Sequence, residues 1–279
     1  MYNNHGDSMN VYCLMDDTAG EGFCCEHGLS LYIETKKHRI LADCGQSALT
    51  FGNAEKLGID ISSVDTLVLS HGHYDHTGGT GEFRRLNSKA YIYIRSNADG
   101  DFYNLKNGNE KYIGADKSLF DMPGLVLTDG NLEIDDEISL FTQPGMKYPM
   151  PGGNKILVRK TEEGFVPDDF SHEQYAVISE NGKRILVSGC AHRGILNILY
   201  EFKGLYGCSP DAVITGFHTV KAEGYGESDI SELESIAAEL LKFDTIFYTG
   251  HCTSVPGYDI MKKVMGEKLI LIHSGDKLI

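Results

Sequence analysis

Residues 65–76 read DTLVLSHGHYDH. DTLVLS is an apolar run with no polar alternation, the pattern of a strand buried on both faces. Three histidines and an aspartate (His71, His73, Asp75 and His76) crowd in directly behind it. A strand of this kind belongs in a sheet covered on both sides, and the C-terminal ends of such strands are common places for chemistry in α/β folds. Side chains two apart in an extended segment point the same way, so His71 and His73 can grip one ion together. Asp75 and His76 lie where the loop bends and can serve a neighbouring ion. Imidazole nitrogen and carboxylate oxygen suit zinc or iron, and four such groups joined by others from distant loops suit a two-metal hydrolytic site. Gly72, Gly78 and Gly79 give the backbone room for tight bends. The competing reading, solvated loop histidines, does not account for so dense a cluster behind a buried strand.

The rest of the chain supplies the sheet that such a strand needs. NVYCLM (10–15), LSLYIET (29–35) and RILADC (39–44) read as strands, the last two joined as a hairpin. Helices are expected over 47–57 and 78–87, with the strand AYIYI (90–94) after them. The second half resumes the scheme. YAVISE and KRILVSG form a hairpin around ENG (180–182), followed by the helix GILNILYEF and the strand DAVITGF. The helix SDISELESIAAELLKF (228–243) opens with Ser and Asp and carries an apolar stripe. The strand DTIFYTG (244–250), the helix PGYDIMKKVMG and the strand KLILIH close the chain. Residues 96–170 are rich in Gly, Asn and Asp and include GMKYPMPGGNK (145–155). They read as short strands and loops, a substrate-side insertion within a single domain spanning 1–279. The two rounds suggest a pseudo-duplicated sandwich, although no sequence repeat is sharp enough to prove duplication.

Charge narrows the partners. Forty acidic residues against 25 basic give a net charge of −15, with no Lys/Arg run. That argues against long nucleic acid and acidic membrane surfaces, both of which need a basic face. A metal could still draw in a small anionic molecule. No stretch approaches the roughly 18 apolar residues of a membrane span, and MYNNHGDSMN has neither the basic nor the apolar part of a secretory signal. Seven cysteines (Cys13, Cys24, Cys25, Cys44, Cys190, Cys208 and Cys252), an odd number with no CxxC pair, suggest a reducing cytoplasm and packed thiols rather than a zinc ribbon. Monomer and homodimer are both open.

SHGHYDH behind a buried strand resembles the signature of the metallo-β-lactamase superfamily, and ILADCG (40–45) resembles its earlier hydrophobic–Asp–x–Gly segment. HGLSLYIET (27–35), VSGCAHRGILNI (187–198), TGFH (215–218) and YTGHCTS (248–254) are similar to one branch, whose members are named dihydropterin–ribofuranosylaminobenzene phosphate synthase-like. The similarity runs from about residue 10 to the end. It implies an α/β fold, a four-layer αββα sandwich, with two divalent ions at one edge of the sheets: zinc first, with manganese or iron as alternatives. It implies that Asp43 orients the metal loop through hydrogen bonds, that a further histidine completes the first site and that a late histidine completes the second. His251 fits the late position, against a reading as a buried structural histidine. His192 and His172 compete for the first site. Cys190 stands where many relatives carry an aspartate bridging both ions, and it either binds a soft metal or packs. His218 either faces substrate, as hydrogen-bond donor or acid, or caps the sheet. His27 has a weaker case for lying near the pocket. His5, His38 and His273 have no metal context, and Cys252 lacks the partners of a cysteine nucleophile.

The activity this implies is hydrolysis of an ester or phosphodiester-type small molecule, phosphorylated substrates included, by a metal-activated water with Asp75 and His218 as catalytic residues. Three alternatives stand beside it. The first is a condensing enzyme of the kind named by the branch. The second is an iron redox enzyme, whose relatives usually carry glutamate where this chain has His73, and bring a flavin domain not found here. The third is a metal-dependent ligand sensor without turnover.

Overall fold

The computed structural model describes residues 9–106, 108–221 and 223–279; His5 lies outside them. The chain opens with β1 (Asn10–Met15), β2 (Ser30–Glu34), β3 (Arg39–Ala42), helix α1 (Leu49–Lys56), β4 (Thr66–Val68), the single turn α2 (Tyr74–Thr77), α3 (Thr80–Leu86) and β5 (Tyr91–Arg95). Strands β6 (Asp101–Lys106) and β7 (Asn109–Tyr112) then leave the sheet, and β8 (Leu125–Thr128) returns to its edge. A second sheet begins with β9 (Leu132–Glu133) and β10 (Ile138–Thr142), while β11 (Leu157–Thr161) and β12 (Gly164–Pro167) pair onto β6. The chain then runs through β13 (Gln174–Glu180), β14 (Lys183–Val187), α4 (Ile195–Tyr206), β15 (Ala212–Thr215), α5 (Glu227–Leu240), β16 (Ile246–Thr249), α6 (Val255–Met265) and β17 (Leu269–Leu271).

The two large sheets share one topology. In the first, ordered β1-β2-β3-β4-β5-β8, the first two pairings are antiparallel and the rest parallel. In the second, β10-β13-β14-β15-β16-β17 shows the same pattern, with β9 added beyond β10. This is the structural counterpart of the two rounds read from the sequence.

Alternation along the strands builds the layers. Ile40 and Ala42 of β3 face the second sheet, against Ile178, Val187 and Ile214, whereas Leu41 faces outward onto Phe51, Ala54 and Phe83 of α1 and α3. In β13, Ala176 and Ile178 point into the same inter-sheet core, and Tyr175 and Val177 pack outward on α4, α5 and α6. The result is a four-layer αββα sandwich. Helix α4 ends at Gly207, whose φ of 70° is the left-handed turn that a glycine closes without strain. Among the described residues no helix is long and apolar enough to cross a membrane.

Residues 96–170 divide between two places. β8, β9 and β10 complete the large sheets, whereas β6, β7, β11 and β12 form a separate four-stranded sheet over a small core of Phe102, Ile113, Leu157 and Phe170. That sheet is bonded to the histidine loop: Tyr74 N donates to Ile113 O at 2.9 Å, and His73 bridges Gly114.

His38, which the sequence left without a context beyond the surface, joins the sheets. Its Nδ1 pairs with Asp65 (2.8 Å) ahead of β4 and its Nε2 with Asp135 (2.6 Å) ahead of β10. Burial opposes its protonation, but Asp135 and Asp65 outweigh it and raise its pKa above 6.5. The contribution to stability is therefore fully present below about pH 6.5 and is lost as pH rises through the raised folded value. Urea unfolding of His38→Gln is expected to show a deficit at about pH 5.5 that shrinks by about pH 9; a deficit independent of pH would show that the ion pairs contribute nothing.

Candidate metal centre

The loops behind β4, β14, β15 and β16 converge at one edge of the sandwich. The ligand-type atoms of His71, His73 and His192 lie within 4.8 Å of one another, and so do those of Asp75, His76, Cys190 and His251. Cys190 also groups with His192 and His218, so its sulfur stands at the junction of the two sets. His71 Nε2 is 3.0 Å from His73 Nδ1, and His76 Nε2 is 3.1 Å from Cys190 Sγ and 3.2 Å from His251 Nε2. Nitrogen ligands on a tetrahedral ion with bonds near 2.05 Å are separated by about 3.3 Å.

Hydrogen bonds on the far side of each ring imply which nitrogen holds the proton. Asp43 Oδ2 takes the Nδ1–H of His76 (2.7 Å) and also the hydroxyl of Ser70 (2.7 Å). With its proton so committed, Ser70 Oγ accepts from His71 Nδ1 at 2.9 Å. Asp17 Oδ1 accepts from His251 Nδ1 (2.6 Å), and Asn154 Oδ1 from His192 Nδ1 (3.0 Å). Four Nε2 atoms are thereby aimed inward. The Nε2 of His192 is buried with no hydrogen-bond partner among the described residues. An orphaned acceptor in a dry interior is costly, and converging lone pairs are worse unless a cation sits between them. The residues fit a pair of divalent ions.

Electrostatics agree for the first set. Burial and the neighbouring imidazoles hold His71 and His192 well below the ordinary histidine value and His73 at about 3, so all three are neutral donors. In the second, burial opposes protonation of His251, but Asp17 and Asp75 outweigh it and raise its pKa well above the ordinary histidine value, so an ion there displaces a proton. Burial opposes ionisation of Asp75, yet His76, His251 and His27 outweigh it and keep the carboxyl well below its usual range. Burial pushes the Cys190 thiol up, and a coordinated cation would deprotonate it outright.

His172 stands apart from the first set. Its Nδ1 accepts from Gly72 N–H at 3.1 Å and its Nε2 donates to Asp168 at 3.1 Å, with the ring against Phe102 at 4.0 Å. Both nitrogens hold the loop in place, and it is His192 that approaches His71 and His73, each at 4.9 Å between ring centroids. His218 lies 4.1 Å from His192, its Nδ1 buried and unpartnered among the described residues. His27 reaches the mouth, 3.4 Å from Asp75 Oδ2, and is held by Asp17 at 2.9 Å. Cys252 is buried, its sulfur 3.7 Å from Cys190 O. Gly72, Gly78 and Gly79 are needed for close approach: a Cβ on Gly78 would meet Gln46 O at 2.2 Å. Sequence reasoning missed Asp17, Asn154, Asp168 and Glu173, whose carboxylate accepts the backbone N–H groups of His192 (2.6 Å) and Arg193 (3.0 Å). Asp16 and Asp17 behind β1 offered the one available signal, an acidic pair at a strand end.

The sequence profile of the metallo-beta-lactamase superfamily matches residues 25–251. The chain belongs to this superfamily. A relative from Methanocaldococcus jannaschii, 7,8-dihydropterin-6-methyl-4-(beta-D-ribofuranosyl)-aminobenzene-5'-phosphate synthase, is 30% identical over 96% of each chain. The crystal structure of a metal-dependent hydrolase of the β-lactamase superfamily, Tm1679, superposes with a TM-score of 0.81 at 27% identity, covering 98% of this chain and 99% of that one. The metallo-β-lactamase fold protein YhfI from Bacillus subtilis shares the fold alone, with a TM-score of 0.59 at 15% identity over 97% and 98% of the two chains.

Superfamily members bind divalent metals, and here Asp43 fixes the histidines that could do so. Asp43→Asn leaves one amide oxygen for three donors, so its NH2 group must face either the Ser70 N–H or the Ser70 hydroxyl and His76. Zinc affinity, measured by competition with a chromophoric chelator, should fall about 10–100-fold with the circular dichroism spectrum retained; native affinity in the variant would contradict this reading of the hydrogen bonds.

Proposed function

We propose that the chain is a metal-dependent hydrolase of small ester or phosphodiester-type substrates, using two divalent ions, zinc first. The observation that carries the reading is the junction at Cys190: its sulfur groups with Asp75, His76 and His251 on one side and, on the other, with His192, which itself groups with His71 and His73, along an open pocket of about 620 Å³. His71, His73 and His192 would hold one ion, and Asp75, His76 and His251 the other, with Cys190 between them. Bound together, such ions lower the pKa of a water toward neutrality and offset charge that develops on a substrate oxygen. The chain supplies the rest. Asp75, ionised and directed at His76 and His251, orients the attacking water. His218 at the pocket wall steadies the developing oxyanion with a hydrogen bond. Lys106 and Lys111 on the small sheet bring positive charge to the mouth of an otherwise acidic protein, which supports a phosphorylated or otherwise anionic substrate. Asn104, Ile113 and Leu157 from that sheet also line the pocket, in keeping with a substrate-side role for the inserted strands. A thiol ligand, in a chain that also carries free exposed thiols at Cys24, Cys25 and Cys208, suits a reducing, cytoplasmic setting.

The second reading, a condensing enzyme, is favoured by the full-length similarity to a relative named as a synthase. The two readings separate on bis(4-nitrophenyl) phosphate with zinc- or manganese-loaded protein. Turnover that falls at least about a hundredfold in Asp75→Asn is the hydrolase result. Absence of turnover of both this diester and 4-nitrophenyl acetate by native protein with two ions bound would overturn it and favour the condensing enzyme.

A further inference from the structure

Beside the metal pocket lies a second cavity of about 240 Å³, lined by Tyr148, Ile195, Phe217, Tyr225, Leu233 and Ile236. The two cavities share a wall made of Gly152, Gly153 and His218, with the Lys221–Asp229 ion pair at the rim of both. The packing there is close: a Cβ on Gly153 would come 3.0 Å from His218 O and 3.3 Å from its Nε2. His218 in turn lies 4.1 Å from His192, so the second cavity opens one imidazole away from the candidate metal ligands.

The linings of the two cavities differ in kind. The metal pocket presents Lys106 and Lys111. The second presents aromatic and branched apolar side chains. Of the charged groups at its rim, Lys221 is paired with Asp229, Glu239 with Lys242, and Glu232 adds a further negative charge. Asp75 and Glu223 also line the metal pocket, so an anionic group is favoured there by Lys106, Lys111 and the ions its ligands would hold, and it is disfavoured in the second cavity. A cavity of about 150 Å³ suffices for benzene, so this one holds a single ring with small substituents. Tyr148, Phe217 and Tyr225 offer the faces and edges on which a ring packs.

We propose that the second cavity is part of the same substrate site and takes an uncharged aryl group, carried by the molecule whose anionic end faces the metal centre. This rests on the metal-centre reading. Apolar burial of a ring favours an aryl over a methyl ligand by about tenfold or more.

The test is calorimetric binding of phenylphosphonate and methylphosphonate to the zinc-loaded protein. Phenylphosphonate is expected to bind at least about tenfold more tightly. Ser235→Trp, at an exposed position of α5 that lines the cavity, and Ile236→Trp should each fill it and bring the ratio toward one. Equal affinities in the native protein, or a high ratio that both tryptophan variants retain, would overturn the aryl compartment and leave the metal centre standing. Failure of both phosphonates to bind would overturn the metal-centre reading and this proposal with it.

Discussion

One buried carboxylate sets the geometry of this site. Asp43 is 1% exposed, and its oxygens accept three hydrogen bonds of 2.7 Å from Ser70 N, Ser70 Oγ and His76 Nδ1. A charge so far from water is tolerated only when every lone pair has a donor. The donors all lie on the histidine loop, so the end of β3 dictates where the loop behind β4 can run. Through Ser70 the same carboxylate reaches His71, and through His76 it reaches Cys190 and His251 in the other half of the molecule. Gly189 enters this arrangement with φ 57°, and a Cβ there would meet Ser70 Oγ at 2.3 Å. A side chain at position 189 would push the two sheet ends apart.

The remaining loops are drawn in by strained turns. Asp43, Ala191, His218 and His251 all have φ between 48° and 59°, the left-handed region that residues with a side chain seldom occupy. Each follows a parallel strand of one of the large sheets, and each costs on the order of 1–3 kcal/mol unless its surroundings enforce it. Behind β16, Asp16 and Asp17 do so for His251, accepting its backbone N–H at 2.7 Å and its Nδ1–H at 2.6 Å. The two-fold repeat of sheet topology brings these loop ends to one edge. The inter-sheet core of aliphatic side chains holds that edge together.

Much of this was legible in the sequence because it depends on local pattern. Unbroken apolar runs gave the parallel strands, and the turn at Asn181–Gly182 gave the second hairpin. The candidate ligands His71, His73, Asp75 and His76 were visible because they fall within six residues. The choice between His192 and His172 was not, since it turns on which ring points inward, and that is decided by Asn154 and Asp168 elsewhere in the chain. The carboxylates that orient the histidines were hidden for the same reason: Asp17 and His251 are 234 positions apart. The small sheet of β6, β7, β11 and β12 lacked a signal of another kind. Strands such as NEKY are exposed along their whole length and show no alternation to read.

The central claim is that Cys190 joins two metal positions into one centre. Zinc K-edge X-ray absorption of the protein loaded with two equivalents tests it most directly. The account predicts a mixed shell of nitrogen and oxygen with a sulfur scatterer at about 2.3 Å that disappears in Cys190→Ser. A shell of nitrogen and oxygen alone in the native protein, with Cys190 still free to react once denatured, would contradict it.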